Sequence, residues 1–280
     1  MSGISNATQV SSGSNYSCAV LDNNTIKCWG QRTDGKLGNG TTGGTGSNDK
    51  STSPVTVTGI SDAEQVSAGG SHTCALLTNG GIKCWGDNYH GQLGDGGTIG
   101  YYHSDRYTPV TTGNSNGWSS VDAGGSNNTC GILNYYVYCW GSGTYGKNGV
   151  GGDSVYSAGD TNTPVQIQRT NNSEYSKIVV GDSHSCGISG RTGLGKLFCW
   201  GLNTYGQLAQ PAFDTTSDWT GIPTEVSIYA SNPTKVNVRD ISVSGNHSCA
   251  ITEDNQTFCW GKPGSSADDY RRTPYQTCAE

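Results

Sequence analysis

The chain has 280 residues, a formal net charge of −6, a pI near 5.3 and a mean hydropathy of −0.52. Its acidic balance, with Arg271-Arg272 the only dense basic pair, excludes a nucleic-acid surface, which needs clustered Lys and Arg. No apolar run is long enough to insert in a membrane and no signal-peptide core is present, so the chain reads as an exported segment whose signal lies elsewhere.

In chain order the elements are short strands. Thr8-Gln9-Val10 is followed by Cys18–Leu21 and Thr25–Trp29, two runs flanking the turn Asp22-Asn23-Asn24. After a long polar loop comes Pro54-Val55-Thr56-Val57, where Pro suits an outer strand. The series then restarts: Glu64-Gln65-Val66, Cys74–Leu77, the turn Asn79-Gly80-Gly81, Gly81–Trp85 and Pro109-Val110. Three further copies have pre-cysteine runs at Ser120-Val121, Lys177–Val180 and Ile241–Val243. Two of them show Pro-led runs at Pro164–Ile167 and Thr273–Gln276.

The first cysteines of the copies, Cys18, Cys74, Cys130, Cys186 and Cys249, are spaced 56, 56, 56 and 63 residues apart. Each second cysteine, at 28, 84, 139, 199 and 259, is followed by Trp-Gly. Four strands per repeat without helical periodicity predict an all-β fold. It is a five-bladed β-propeller of four-stranded antiparallel blades, one domain over 1–280. Gly3–Val10 matches Gly59–Val66, and Thr273–Gln276 matches the strand preceding that segment. On this reading the ends share a blade, and pairing the N- and C-terminal strands closes the ring.

The third copy's two-residue turn, Asn134-Tyr135, sets Cys130 opposite Cys139. Opposed antiparallel residues lie within disulfide range. Five bridges are expected: Cys18–Cys28, Cys74–Cys84, Cys130–Cys139, Cys186–Cys199 and Cys249–Cys259. Each closes a short loop and contributes about 2–3 kcal/mol. Paired cysteines in every repeat point to an oxidising, extracellular or cell-surface location. Cys278 is left over: free, linked to another chain, or paired beyond this stretch.

The stretch from Gly69 to Gly96 carries a family resemblance. It holds Gly69-Gly70-Ser71-His72-Thr73, Ala75-Leu76, Gly80-Gly81, Trp85-Gly86 and Asn88-Tyr89-His90-Gly91-Gln92-Leu93-Gly94-Asp95-Gly96. This resembles the repeat of the regulator of chromosome condensation family, in a secreted, disulfide-containing variety. The resemblance implies a propeller of four-stranded blades. The family usually has seven blades, and five are visible here. Copies four and five also lose the Gln-Leu-Gly tail, at Gln207-Leu208-Ala209 and Lys262-Pro263-Gly264.

His72, His184 and His247 share one repeat position. A blade apart, they cannot converge on one metal ion, so they read as turn-stabilising residues and no metal site is expected. No nucleophile elbow, Walker loop or zinc-protease motif occurs, so no catalytic residues, no enzyme activity and no cofactor are expected. The periodic tryptophans suit the packing between blades.

Long inserts follow each Trp-Gly at one point of the repeat and therefore emerge on one side. Their small polar residues and aromatics resemble recognition loops. The candidate contacts are Tyr89, His90, Tyr101, Tyr102, His103, Tyr145, Tyr156, Tyr205, Trp219 and Tyr270. The expected function is a recognition or adhesion module for a protein or glycan on another cell or surface. A lectin-like glycan binder and a secreted enzyme inhibitor are the alternatives, and an intermolecular link through Cys278 fits a structural role.

Overall fold

The computed structural model describes residues 4–41, 49–100, 104–113, 116–151, 159–168, 174–210, 218–228, 237–262 and 271–276. Its strands form five four-stranded sheets, each contiguous in sequence. Blade one holds β1 (Ala7–Gly13), β2 (Tyr16–Leu21), β3 (Ile26–Gln31) and β4 (Lys50–Thr56). Blade two holds β5 (Ala63–Ala68), β6 (His72–Leu77), β7 (Ile82–Gly86) and β8 (Arg106–Thr111). Blade three holds β9 (Trp118–Ala123), β10 (Asn128–Leu133), β11 (Tyr136–Gly141) and β12 (Thr161–Gln166). Blade four holds β13 (Tyr175–Val180), β14 (His184–Ser189), β15 (Leu197–Leu202) and β16 (Trp219–Glu225). Blade five holds β17 (Val238–Ser244), β18 (His247–Thr252), β19 (Thr257–Gly261) and β20 (Arg271–Gln276).

The expected sharing of a blade between the chain's ends is corrected. β1 pairs with β2 in the first sheet, and β20 pairs with β19 in the fifth. Each repeat supplies its four strands in order, pre-cysteine strand first and Pro-bearing strand last. Local hairpins therefore complete every sheet, and the blade boundary falls between the Pro strand and the next pre-cysteine strand.

Two features of the repeat follow from this ladder. The cysteines are directly opposed across the two middle strands. Cys18–Cys28, Cys74–Cys84, Cys186–Cys199 and Cys249–Cys259 are bonded with Cα atoms 4.1 Å apart. Cys130 and Cys139 are likewise disulfide-bonded. The glycine of Trp-Gly is required by a close approach: a Cβ on Gly86, at φ 105°, would sit 2.6 Å from the Ser71 carbonyl oxygen. That carbonyl instead accepts the Asp87 N–H at 3.0 Å, which fixes where the following loop leaves the blade.

The chain divides into two compact units. One comprises Met1–Asn134, Trp140–Ser142 and Asp160–Val165; the other comprises Tyr135–Cys139, Gly143–Gly159 and Gln166–Glu280. In the first unit, the cysteine face of blade one (Cys18, Val20, Ile26, Cys28) packs against Val66, Ala75, Leu77 and Trp85 of blade two. The second unit repeats the arrangement, with Cys186, Ile188, Leu197 and Cys199 of blade four against Ile241, Ala250, Phe258 and Trp260 of blade five.

Candidate functional site

The loops that follow Trp-Gly are built from a repeated hydrogen-bond frame. Seven residues after each of four tryptophans' predecessors in the series, one backbone carbonyl serves the next blade twice. Lys36 O accepts the Trp85 indole N–H at 2.9 Å and the Thr73 hydroxyl at 3.0 Å. Gln92 O accepts from Trp140 at 2.9 Å and Thr129 at 2.8 Å. In the second unit, Lys147 O accepts from Trp200 and Ser185, and Gln207 O from Trp260 and Ser248. These tryptophans are 0–1 % exposed, so the indole N–H is satisfied at no cost of an orphaned donor.

The same frame explains the Asn-x-x-Gly-Gln-Leu segment. Asn88 Oδ1 accepts the Leu93 N–H and Gln92 Oε1 accepts the His90 N–H, all inside one loop. Asn203 and Gln207 do the same for Leu208 and Tyr205. Leu37, Leu93 and Leu208 are buried as plugs beneath their loops. Each loop therefore starts from a rigid base and presents the residue five positions after its Trp: Asp34, His90, Tyr145 or Tyr205.

Two of the three histidines at the shared repeat position, His72 and His184, are rungs between blades. His72 Nε2 lies 2.8 Å from Thr129 Oγ1, and His184 Nε2 lies 2.7 Å from Ser248 Oγ. Ser248 spends its single proton on Gln207 O, so His184 donates to it from Nε2. Burial, helped by His247, holds the His184 pKa down at about 3. Tyr16 fills the same role in blade one: its hydroxyl reaches Thr73 Oγ1 at 2.9 Å, and burial raises its pKa.

Five candidate contact residues lie within the described structure. Tyr89 and His90 stack edge to face with centroids 5.0 Å apart. His90 Nδ1 is 2.7 Å from Asp160 Oδ2, a partner 70 positions away that no sequence spacing announces. Nearby, burial raises the Asp87 carboxyl above its usual range. Tyr145 is half-buried and sits at φ 59° within a one-turn 3-10 helix, Thr144–Gly146, a backbone region that bulky residues rarely occupy. That turn packs against β16, where a Cβ on Gly146 would lie 2.5 Å from Gly221 Cα; Trp219 opens the same strand. Tyr205 is half-buried, with the Lys262 ammonium 4.8 Å above its ring. Tyr101, Tyr102, His103, Tyr156 and Tyr270 lie outside the described residues, as does Cys278. The structure thus joins Tyr89, His90 and Asp160 in one cluster, and sets the turn of Tyr145 beside the strand of Trp219.

Among the described residues no group of three or more His, Cys, Asp or Glu side chains could hold a metal ion. No described helix is long and apolar enough to cross a membrane.

Comparisons with known proteins bear on the repeat as a whole. Two models of the Regulator of chromosome condensation (RCC1) repeat match. One covers residues 7–36, 63–92, 175–207 and 238–266. The other covers 28–76, 136–188 and 195–251. The chain is 29 % identical over 204 residues to the ultraviolet-B receptor UVR8 of Arabidopsis thaliana, covering 70 % of this chain and 40 % of that protein. It is 25 % identical over 256 residues to the human E3 ubiquitin-protein ligase HERC2, covering 90 % of this chain and 5 % of that one. The chain therefore spans well under two thirds of either relative. Among solved structures, human WBSCR16 aligns with a TM-score of 0.77 at 19 % identity, covering 96 % of this chain and 67 % of that one. Prp20p of Saccharomyces cerevisiae, described with its binding to Gsp1p and histones, aligns with a TM-score of 0.77 at 18 % identity over 96 % and 63 %. With matched models over more than half its length and sheets of the same fold, the chain belongs to the regulator of chromosome condensation repeat family.

Proposed function

We infer that this propeller is a non-catalytic recognition module that works outside the cell and binds its partner through the loops after Trp-Gly. One observation carries the reading: a buried hydrogen bond from an indole to a loop carbonyl recurs beneath the four described loops, while the residue presented changes from Asp34 to His90 to Tyr145 and Tyr205. A rigid base with variable tips loses little ordering entropy on contact. Tyr145 supports the same view, since a bulky side chain kept at positive φ marks a position retained against local strain. The disulfides support export, because such bonds persist in oxidising compartments. A family relative described with its binding to Gsp1p and histones favours a protein partner over a glycan.

The test compares two ends of the same blades. A variant with Tyr89→Ala, His90→Ala, Tyr145→Ala and Tyr205→Ala alters the loop end. Tyr135→Ala alters the β10–β11 turn at the other end, where Tyr135 is 45 % exposed. Binding to intact cells, a panel of extracellular proteins and a glycan array is measured for each. Loss of protein and cell binding in the loop variant alone supports the reading. Binding that survives the four loop changes overturns it, and signals confined to the glycan array replace it with a lectin.

A further inference from the structure

Blade three reaches into the loop of blade two. The residues at the start of β12 hold that loop at three points. Asp160 Oδ2 meets His90 Nδ1 at 2.7 Å, Asn162 Nδ2 donates to Gly97 O at 2.7 Å, and the Gly96 N–H donates to Asn162 O at 2.8 Å. Within the loop, the Gly100 N–H closes back on Tyr89 O at 2.7 Å, and Gln92 Oε1 accepts the His90 N–H. His90 is thus gripped from two blades while its side chain stays 24 % exposed. The Asp160 carboxylate, 4 % exposed, is the buried end of the pair.

The pairing decides what His90 offers. A carboxylate only accepts, so Asp160 makes Nδ1 the donor, and Nε2 of the neutral ring is then an acceptor. Among the described residues Nε2 has no partner, and it is not sealed from solvent. His184 differs: it is fully buried and spends Nε2 on Ser248. The groups acting on this tip are largely acidic. Asp87, three residues before His90, is half-buried and feels both His90 and Asp34 of blade one. Lys36 answers these carboxylates from inside, its side chain 3 % exposed, 3.8 Å from Asp34 and 5.6 Å from the Tyr16 ring centroid. Arg32 and Arg106 are spent on Asp49 and Asp95.

We propose that this tip receives a basic side chain of the partner protein, with His90 as the contact residue and Asp160 as its positioning residue. The inference rests on the loop-end reading and names the chemistry that one tip selects. An ammonium or guanidinium group brings a donor for His90 Nε2 and a charge for Asp34 and Asp87. The Tyr89 ring, edge to face with His90 at 5.0 Å, adds an aromatic flank that suits a cation. A partner carboxylate would meet an acceptor and like charges, so the tip selects by repulsion as well as by attraction.

NMR of the full chain at neutral pH tests it, with n-butylammonium as the probe and n-butanol and butyrate as neutral and anionic controls. Nitrogen spectra of His90 should show Nδ1 protonated and Nε2 bare. The ammonium should shift the His90 and Tyr89 signals saturably, and neither control should. Asp160→Asn and Asp160→Ala remove the carboxylate that fixes the tautomer, with circular dichroism to check that both stay folded. Affinity should follow the proton: a variant that moves it to Nε2 should bind the ammonium at least ~10-fold more weakly. A titration without saturable shifts, or butyrate acting as well as the ammonium, overturns the proposal. So does a moved proton with unchanged affinity, or a proton that stays on Nδ1 in both variants. No partner protein enters these readouts. A silent titration beside a loop variant that loses its partner sinks this proposal alone, whereas a partner still bound after the four loop changes sinks the loop-end reading itself.

Discussion

Blade two and blade five share one ladder and differ in what surrounds it. In both, the cysteines are directly opposed with Cα atoms 4.1 Å apart, and the indole N–H reaches the preceding blade's carbonyl at 2.9 Å or 2.8 Å. Yet Cys74, Cys84, Leu76 and Ile82 are 0–3 % exposed, and Cys249, Cys259, Ile251 and Thr257 are half-buried. The hydrogen-bonded strand pattern is therefore a property of the repeat. Burial of its cysteine face is a property of the neighbour.

Substitution of the tryptophans sharpens this contrast most. Trp85→Ala removes a fully buried indole and its hydrogen bond, and is expected to cost about 3–5 kcal/mol. Trp29→Ala, at a half-buried indole, is expected to cost about 1–2 kcal/mol, in line with partial burial. Urea midpoints of the two variants measure the difference, and equal losses would break the comparison.

Disulfides rank next. Replacing Cys74 and Cys84 together by Ala should cost about 2–3 kcal/mol for the short loop that their bond closes. In the intact protein, stepwise reduction followed by mass tagging should open Cys249–Cys259 first, because the other eight bonded cysteines are fully buried. Uniform reduction of all pairs would show that face exposure does not control access.

A smaller effect concerns acid. The unfolded histidine takes up a proton below its ordinary pKa of 6.5, while folded His184 stays neutral down to about 3. Its contribution to stability is complete above 6.5 and is lost as pH falls through that window, by roughly 1–2 kcal/mol between neutrality and pH ~5. His184→Gln, which can still reach Ser248, should flatten the stability profile over that range; an unchanged slope would assign the acid sensitivity elsewhere.

The smallest effect is at a loop. Tyr145→Gly should raise stability by about 0.5–1 kcal/mol, since glycine occupies positive φ without a Cβ clash. A stability gain coupled to lost binding would separate the frame from the tip it presents.

Much of this was legible in the residues. The two-residue turn Asn134-Tyr135 between Cys130 and Cys139 gave the opposition of the cysteines, and the periodic Trp-Gly gave the interior indoles and the glycine that no side chain can replace. Other features left no local trace. His90 and Asp160 meet across 70 positions, and His72 and His184 reach hydroxyls in the following blade rather than their own turns. The blade boundary was misplaced because a repeat read from sequence is cyclic: any cut through it gives the same period, and only strand pairing shows which four strands share a sheet.

The sequence by itself determined the strand order, the opposed cysteines and the family, because these depend on period-two alternation and on contacts within one hairpin pair. Tertiary structure alone decided which carbonyl receives each indole and hydroxyl, and how deeply each copy's cysteine face is buried. Those outcomes depend on a neighbour one full repeat away, and similar local patterns meet different neighbours.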